Sequence, residues 1–197
     1  MKKQRNKKVL VEVSSRHLHI SKEDFEILFG RNEILKKVKD LSQPGEFGSD
    51  KFVTIYNKGK EIKNVRVVGP FRENSQLEIS LTDAYYLNLK PLPKLKLSGD
   101  LEGTTRVEVI GKKRSKKIPC IITKRHFHIS EEQAKKLNLK NNEKISIKIK
   151  GKRGLIFKEV IVRTSKNYKS AVHLDTDEGN SAGIFGKTFG ELILEKS

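Results

Sequence analysis

Apolar and polar residues alternate with a period of two over residues 9–13, 52–56, 64–68, 76–80, 94–97, 106–110, 144–149 and 155–162. Successive side chains of a strand point to opposite faces, so this pattern predicts many short, half-buried strands. Gly, Asn and Lys punctuate the gaps as turns require. Nearly every stretch keeps a polar second face, which fits small barrels or sandwiches better than a doubly wound parallel sheet buried on both sides. The expected fold class is mainly β.

Helices should be few and short. Ser21 caps a run that Gly30 stops, Ser130 caps a second run with Gln133 at capping-box spacing, and a third is expected over 82–89. The basic run from Gly111 to Lys117 reads as an exposed turn between strands. Ser15-Arg16-His17-Leu18-His19-Ile20-Ser21 recurs as Lys124-Arg125-His126-Phe127-His128-Ile129-Ser130, each copy preceded by an apolar strand and followed by a capped helix. The chain therefore reads as a duplicated unit.

Composition bounds the function. The chain has 197 residues, 42 basic against 24 acidic side chains and a formal net charge of +18. That length permits one large or two small domains and excludes a multidomain machine. The excess is mostly Lys scattered from end to end, with no Trp, so a solvated surface or a polyanionic small molecule explains the charge better than nucleic acid does. No apolar run could span a bilayer and no cleavable leader follows the basic start, which points to a cytoplasmic protein without a membrane partner. One cysteine, Cys120, excludes an internal disulfide framework and a Cys-rich metal knuckle.

Four of the five histidines lie in the two His-x-His pairs, and the fifth is His173. Positions i and i+2 of a strand share a face, so each pair presents two imidazoles side by side, as metal sites in β proteins do. His173 can complete one set of ligands. The repeat points to Glu78 for the other, because the stretch around Gln76-Leu77-Glu78-Ile79-Ser80 echoes that around Ala171-Val172-His173-Leu174-Asp175. Two three-ligand sites result, His17/His19/Glu78 and His126/His128/His173. Such donors suit two zinc ions, with cobalt, iron or manganese also compatible. Arg72, six residues before Glu78, offers a fork of donors matching phosphate.

Val11-Glu12-Val13-Ser14-Ser15-Arg16-His17-Leu18-His19-Ile20-Ser21, the Gln43-Pro44-Gly45-Glu46-Phe47 loop, Gly69-Pro70-Phe71-Arg72, the second His-x-His segment and His173-Leu174-Asp175-Thr176-Asp177-Glu178 together resemble the phosphate propanoyltransferase family of bacterial microcompartments and its free cytosolic relatives. The resemblance runs from about Val9 to the C-terminus. It implies a phosphotransacylase that interconverts acyl-CoA plus phosphate with acyl phosphate plus CoA, on two small β-barrels related by internal duplication and capped by short α-helices. The implied division is residues 6–15 plus 124–193 as one barrel, 16–29 plus 51–123 as the other, and 30–50 as an inserted loop, with the di-metal site between the barrels. By the same resemblance Arg72 is the phosphate-site arginine, Ser14, Lys39, Arg66 and Asn180 contact CoA, and the protein is a homodimer. The short basic start, without an apolar face, argues against encapsulation in a microcompartment. Gly179 stands where the family pattern suggests alanine, a small-for-small exchange expected to leave the site intact.

The chemistry expected is direct attack of phosphate on the thioester carbonyl, because Cys120, the only thiol, reads as a buried strand residue. Two other readings stay open at this point. A di-metal hydrolase of esters or phosphates would release free acid. A basic nucleic-acid-binding β-barrel would bind oligonucleotides in a salt-sensitive way and leaves the histidine repeat unexplained.

Overall fold

The period-two alternation places branched apolar side chains on one face of each segment, and burial of that face is what closes the sheets. The computed structural model describes residues 7–193. In chain order its first elements are β1 (Lys7–Val13), β2 (His17–His19), α1 (Lys22–Phe29), β3 (Lys37–Asp40), β4 (Phe47–Asn57), β5 (Lys60–Gly69), β6 (Gln76–Ile79), α2 (Leu81–Tyr86) and β7 (Leu95–Lys96). They are followed by β8 (Thr105–Ile110), β9 (Ser115–Thr123), β10 (His126–Ser130), α3 (Glu131–Lys136), β11 (Lys144–Ile149), β12 (Ile156–Ser165), β13 (Ala171–Leu174), α4 (Thr176–Ser181) and β14 (Lys187–Ile193). Most of the basic start, through Asn6, lies outside the described residues, so the expectations that rest on it are not addressed by the fold.

The chain divides into two compact units. Ser15–Thr123 forms one, and the described residues up to Ser14 join those from Lys124 onward to form the other. In the first unit β2, β6, β9, β8, β4 and β5 pair in that order and β5 returns to β2, which closes a barrel; β3 and β7 pair outside the ring. In the second unit the closed ring runs β1-β13-β10-β12-β11-β14. Starting from β10, its sequence of antiparallel and parallel pairings repeats that of the first ring strand for strand. The duplication is thus topological as well as textual. The strand before each His-x-His motif enters the ring built from the other repeat: β1 pairs with β13 and β14, and β9 with β6 and β8.

Each ring encloses its own apolar core. Leu18, Ile20, Val67, Leu77, Ile79, Val109, Ile118 and Cys120 fill the first, and Val11, Phe127, Ile129, Ile147, Val162, Val172 and Leu174 fill the second. Leu18, Ile20, Leu77, Ile79, Phe127, Ile129, Val172 and Leu174 stand one position from the histidines or Glu78, so the candidate ligands lie on the outer barrel faces.

The helix expectations hold with local corrections. α1 starts at Ser21, whose side chain accepts from the Asp24 N–H, and stops at Gly30. The third run is shorter than 82–89, ending with Leu87 as C-cap. Ser130 caps α3, but the Gln133 side chain bonds Ser170 rather than closing the box. The segment 30–50, expected as a loop, contains β3 and the start of β4. β3 is exposed throughout and paired only along β4, so it carries no alternation to read. The basic turn narrows to Gly111–Arg114, where the Gly111 N–H meets the Arg114 carbonyl at 2.9 Å; Ser115 to Lys117 already pair with β8.

Candidate active site

β2 has only three residues, of which the middle one is core, and this forces the two histidines onto the outer face together. Antiparallel pairing with β6 then sets Glu78 opposite His17. One ligand atom from each of His17, His19 and Glu78 lies within 4.8 Å of the others. The two Nε2 atoms are 3.1 Å apart, and each is 3.7 Å from a different oxygen of Glu78. His17 Nδ1 is 2.8 Å from the Ser15 carbonyl. A carbonyl only accepts, so Nδ1 is the donor in this contact and Nε2 is the ring nitrogen that faces His19 and Glu78.

Charge in this cluster is sharply divided. Burial would push the Glu78 carboxyl up, but His17 and His19, together with hydrogen bonds from Thr123 and Ser98, outweigh it and hold the group well below the usual carboxylate range. Burial pushes His19 well below its ordinary value; His17 and Arg72 add to this and Glu78 opposes it. An ionised carboxylate beside a neutral imidazole is the protonation state a divalent cation requires, and the donor set therefore fits such an ion.

Around Glu78 stands a polar shell that the sequence did not reveal. Thr123 Oγ1 donates to Oε2 and Gln76 Nε2 to Oε1, both at 2.5 Å, which fixes the carboxylate plane. Ser98 Oγ accepts from Gln76 at 2.9 Å and from Arg72 at 3.0 Å. The other Arg72 terminal nitrogen donates to Glu46 at 3.0 Å, and the Arg72 backbone N–H to the Ile20 carbonyl at 2.9 Å. Arg72 is thus tied to the end of the His-x-His strand. Only the alternation around Gln76 hinted at this shell; Ser98 and Thr123 reach it through folding.

In the same unit Arg66 stands opposite His17 on β5, with its guanidinium 4.3 Å from the centre of the Phe52 ring. Lys39 and Arg66 pass over Gly48, where an added Cβ would come within 3.0 Å of Lys39 Cε and 3.1 Å of Arg66 Cδ. Glycine at 48 leaves room for the stems of both side chains.

The second unit carries its own imidazole group. His126 stands opposite His173 between β10 and β13. The His126 and His128 ring centres are 4.6 Å apart, and those of His173 lie 5.2 and 5.0 Å from them. His126 Nδ1 donates to the Lys124 carbonyl at 2.9 Å, the arrangement of His17 repeated. Tyr168, unsuspected from the sequence, lies 4.2 Å from the His128 ring centre. Ser14 donates its N–H to the Leu174 carbonyl, and Asn180 is an exposed residue of α4, whose Gly179 faces Val13. A Cβ at position 179 would meet Val13 Cγ2 at 2.5 Å, so an alanine there requires Val13 or the helix to shift.

Two barrels, each with imidazoles on an outer strand beside a third candidate donor from a neighbouring strand, define a duplicated β-barrel protein. The family profile described as phosphate propanoyltransferase matches residues 10–185. A phosphate propanoyltransferase of Clostridioides difficile is 40% identical over 93% of this chain and 88% of its own length. Those of Alkaliphilus metalliredigens and Thermotoga maritima are 39% and 41% identical, each over 94% of this chain and 87% of the relative. The chain belongs to the phosphate propanoyltransferase family and is an acyltransferase. Among the described residues, no helix is long and apolar enough to cross a membrane.

Proposed function

We propose that this chain moves a short acyl group, propanoyl or acetyl, between CoA and inorganic phosphate. The observation that carries the reading is the His17/His19/Glu78 cluster, which gathers three donor atoms within 4.8 Å of one another in a chain of this family. These residues would hold one divalent cation, zinc being the best match to the donors, and His126, His128 and His173 a second. Such ions supply Lewis acidity for the thioester carbonyl and a counter-charge for the CoA thiolate.

The protein's own groups supply the rest. Arg72 offers a guanidinium to a phosphate dianion, and Ser98 and Glu46 hold the fork in place. Fixing phosphate against the carbonyl carbon converts a bimolecular step into a positioned one. Lys39 and Arg66 bind CoA phosphates; Ser14 and Asn180 bond its polar groups. The attack is direct: the new bond forms between a phosphate oxygen and the carbonyl carbon, the carbon–sulfur bond breaks, and the electron pair leaves on sulfur. Burial, with Asp83 and Glu78 adding to it, pushes the Cys120 thiol far up, which leaves no thiolate for an acyl-enzyme. The working form is a homodimer in the cytoplasm. Metal analysis of the purified protein beside a phosphate-dependent CoA-release assay over acyl-chain lengths tests this reading. Acyl phosphate should form in step with CoA, whereas steady release of free acid would replace the reading with a hydrolase.

A further inference from the structure

One contact occurs twice, once in each barrel, and none of the roles assigned above uses it. Arg16, the residue before His17, donates Nε to Asp83 Oδ2 at 2.9 Å and Nη2 to Oδ1 at 2.7 Å. Arg125, the residue before His126, meets Glu178 Oε1 through Nε at 2.7 Å. Asp83 and Glu178 occupy the same place, the third position of the short helix after the strand that carries Glu78 or His173, five residues beyond that ligand in both cases. Each acid also accepts the backbone N–H of its helix cap, Ser80 at 3.2 Å and Asp175 at 3.1 Å. Those caps lie two residues past Glu78 and His173. Each acid thus ties the segment that presents the first histidine to the turn that follows the third donor.

The two halves differ at the third donor, at the cap and at the acid itself, yet both keep this connection. Its place explains why. The ligand strands β2 and β6 pair over three residues, as do β10 and β13, and the first histidine with its opposite donor forms the last pair of each ladder. Ladder ends fray unless something holds them. Each arginine also sits between the histidine and the carbonyl, Ser15 or Lys124, that accepts from its Nδ1, so holding the arginine holds the segment that orients the ring.

We infer that Arg16 with Asp83, and Arg125 with Glu178, are positioning pairs that preorganise the two metal-binding clusters, each pair serving the cluster in its own barrel. This inference rests on the metal reading proposed above. Cobalt(II) titration of metal-free protein, followed by its visible absorption and by competition with a chelator, separates the two ideas. Arg16→Met should weaken one of the two cobalt sites by about 10–100-fold, the usual effect of losing an outer-shell partner. Arg125→Met should do the same to the other site. A purely structural contact would lower the melting temperature of the metal-free variant and leave the affinity of the folded fraction unchanged. A folded variant that binds both equivalents as tightly as the unsubstituted protein overturns the inference and leaves the metal reading standing. Should Arg16→Met fail to fold, Arg16→Lys, which keeps the charge and loses the fork, must still weaken one site, and unaltered affinity in it is equally decisive. An unsubstituted protein that takes up no cobalt removes the metal reading and the positioning role with it.

Discussion

At Arg72, a half-buried guanidinium is held by a hydroxyl and a carboxylate rather than left to solvent. Replacing it with alanine removes an electrostatic stabiliser, so turnover should fall by at least about 10²-fold, read as the phosphate dependence of CoA release. An unaltered phosphate dependence would take Arg72 out of the mechanism. Cys120→Ser should keep most activity, because the thiol lies inside the barrel core; a trapped acyl group on Cys120 in the unsubstituted protein would contradict this. Glu178 offers a test by pH. Burial pushes its carboxyl up to about 7, the nearby Arg125 pulling down and Asp175 pushing up. The folded state then keeps a proton that the unfolded chain releases above its ordinary value near 4.5, so this group's contribution to stability falls as pH rises from about 4.5 to 7 and is level outside that window. Denaturant midpoints of Glu178→Gln should lose that slope. Glu78 was legible as a donor because the repeat set it in the place of His173. Of its supports, the alternation sets Gln76 on the same strand face, but Thr123 was not legible, since it reaches Glu78 from 45 positions away.

Elements that bury an apolar face on a regular period could be read directly; those held by local polar contacts or by an edge could not. α4 was missed because Thr176 to Ser181 contains Gly, Asn and Ser, all poor helix formers. What holds it is the reciprocal box between Asp175 and Glu178, a signal present in the sequence at the right spacing. β14 was also missed, because its Gly190 interrupts the pattern where the backbone passes close to Ile147 and Val11. Packing of α4 on β1 sets a measurable cost at Gly179. An alanine there gains about 0.5–1 kcal/mol of helix propensity but must push Val13, a stiff branched side chain. Overpacking of this kind costs about 1–3 kcal/mol, so Gly179→Ala should lower the urea midpoint. An unchanged or higher midpoint would mean that the helix shifts freely on its strand.

At the level of the whole molecule, the two apolar cores and the two clusters of donors occupy opposite faces of the same strands. Removal of metal with a chelator should therefore abolish phosphate-dependent CoA release and leave the far-ultraviolet circular dichroism of the barrels in place, with activity returning on addition of zinc. Full activity in protein shown to be metal-free would sink the proposal. Alternation located most strands but not their partners, since pairing joins residues far apart and depends on how each ring closes.

The exchange of first strands also governs the order in which the protein can assemble during synthesis. The ring within residues 15–123 contains every strand it needs once Thr123 has left the ribosome. β1 pairs with β14, far along the chain, and Val9 lies opposite Gly190. β1 must wait until β13 and β14 have emerged before its ring can close.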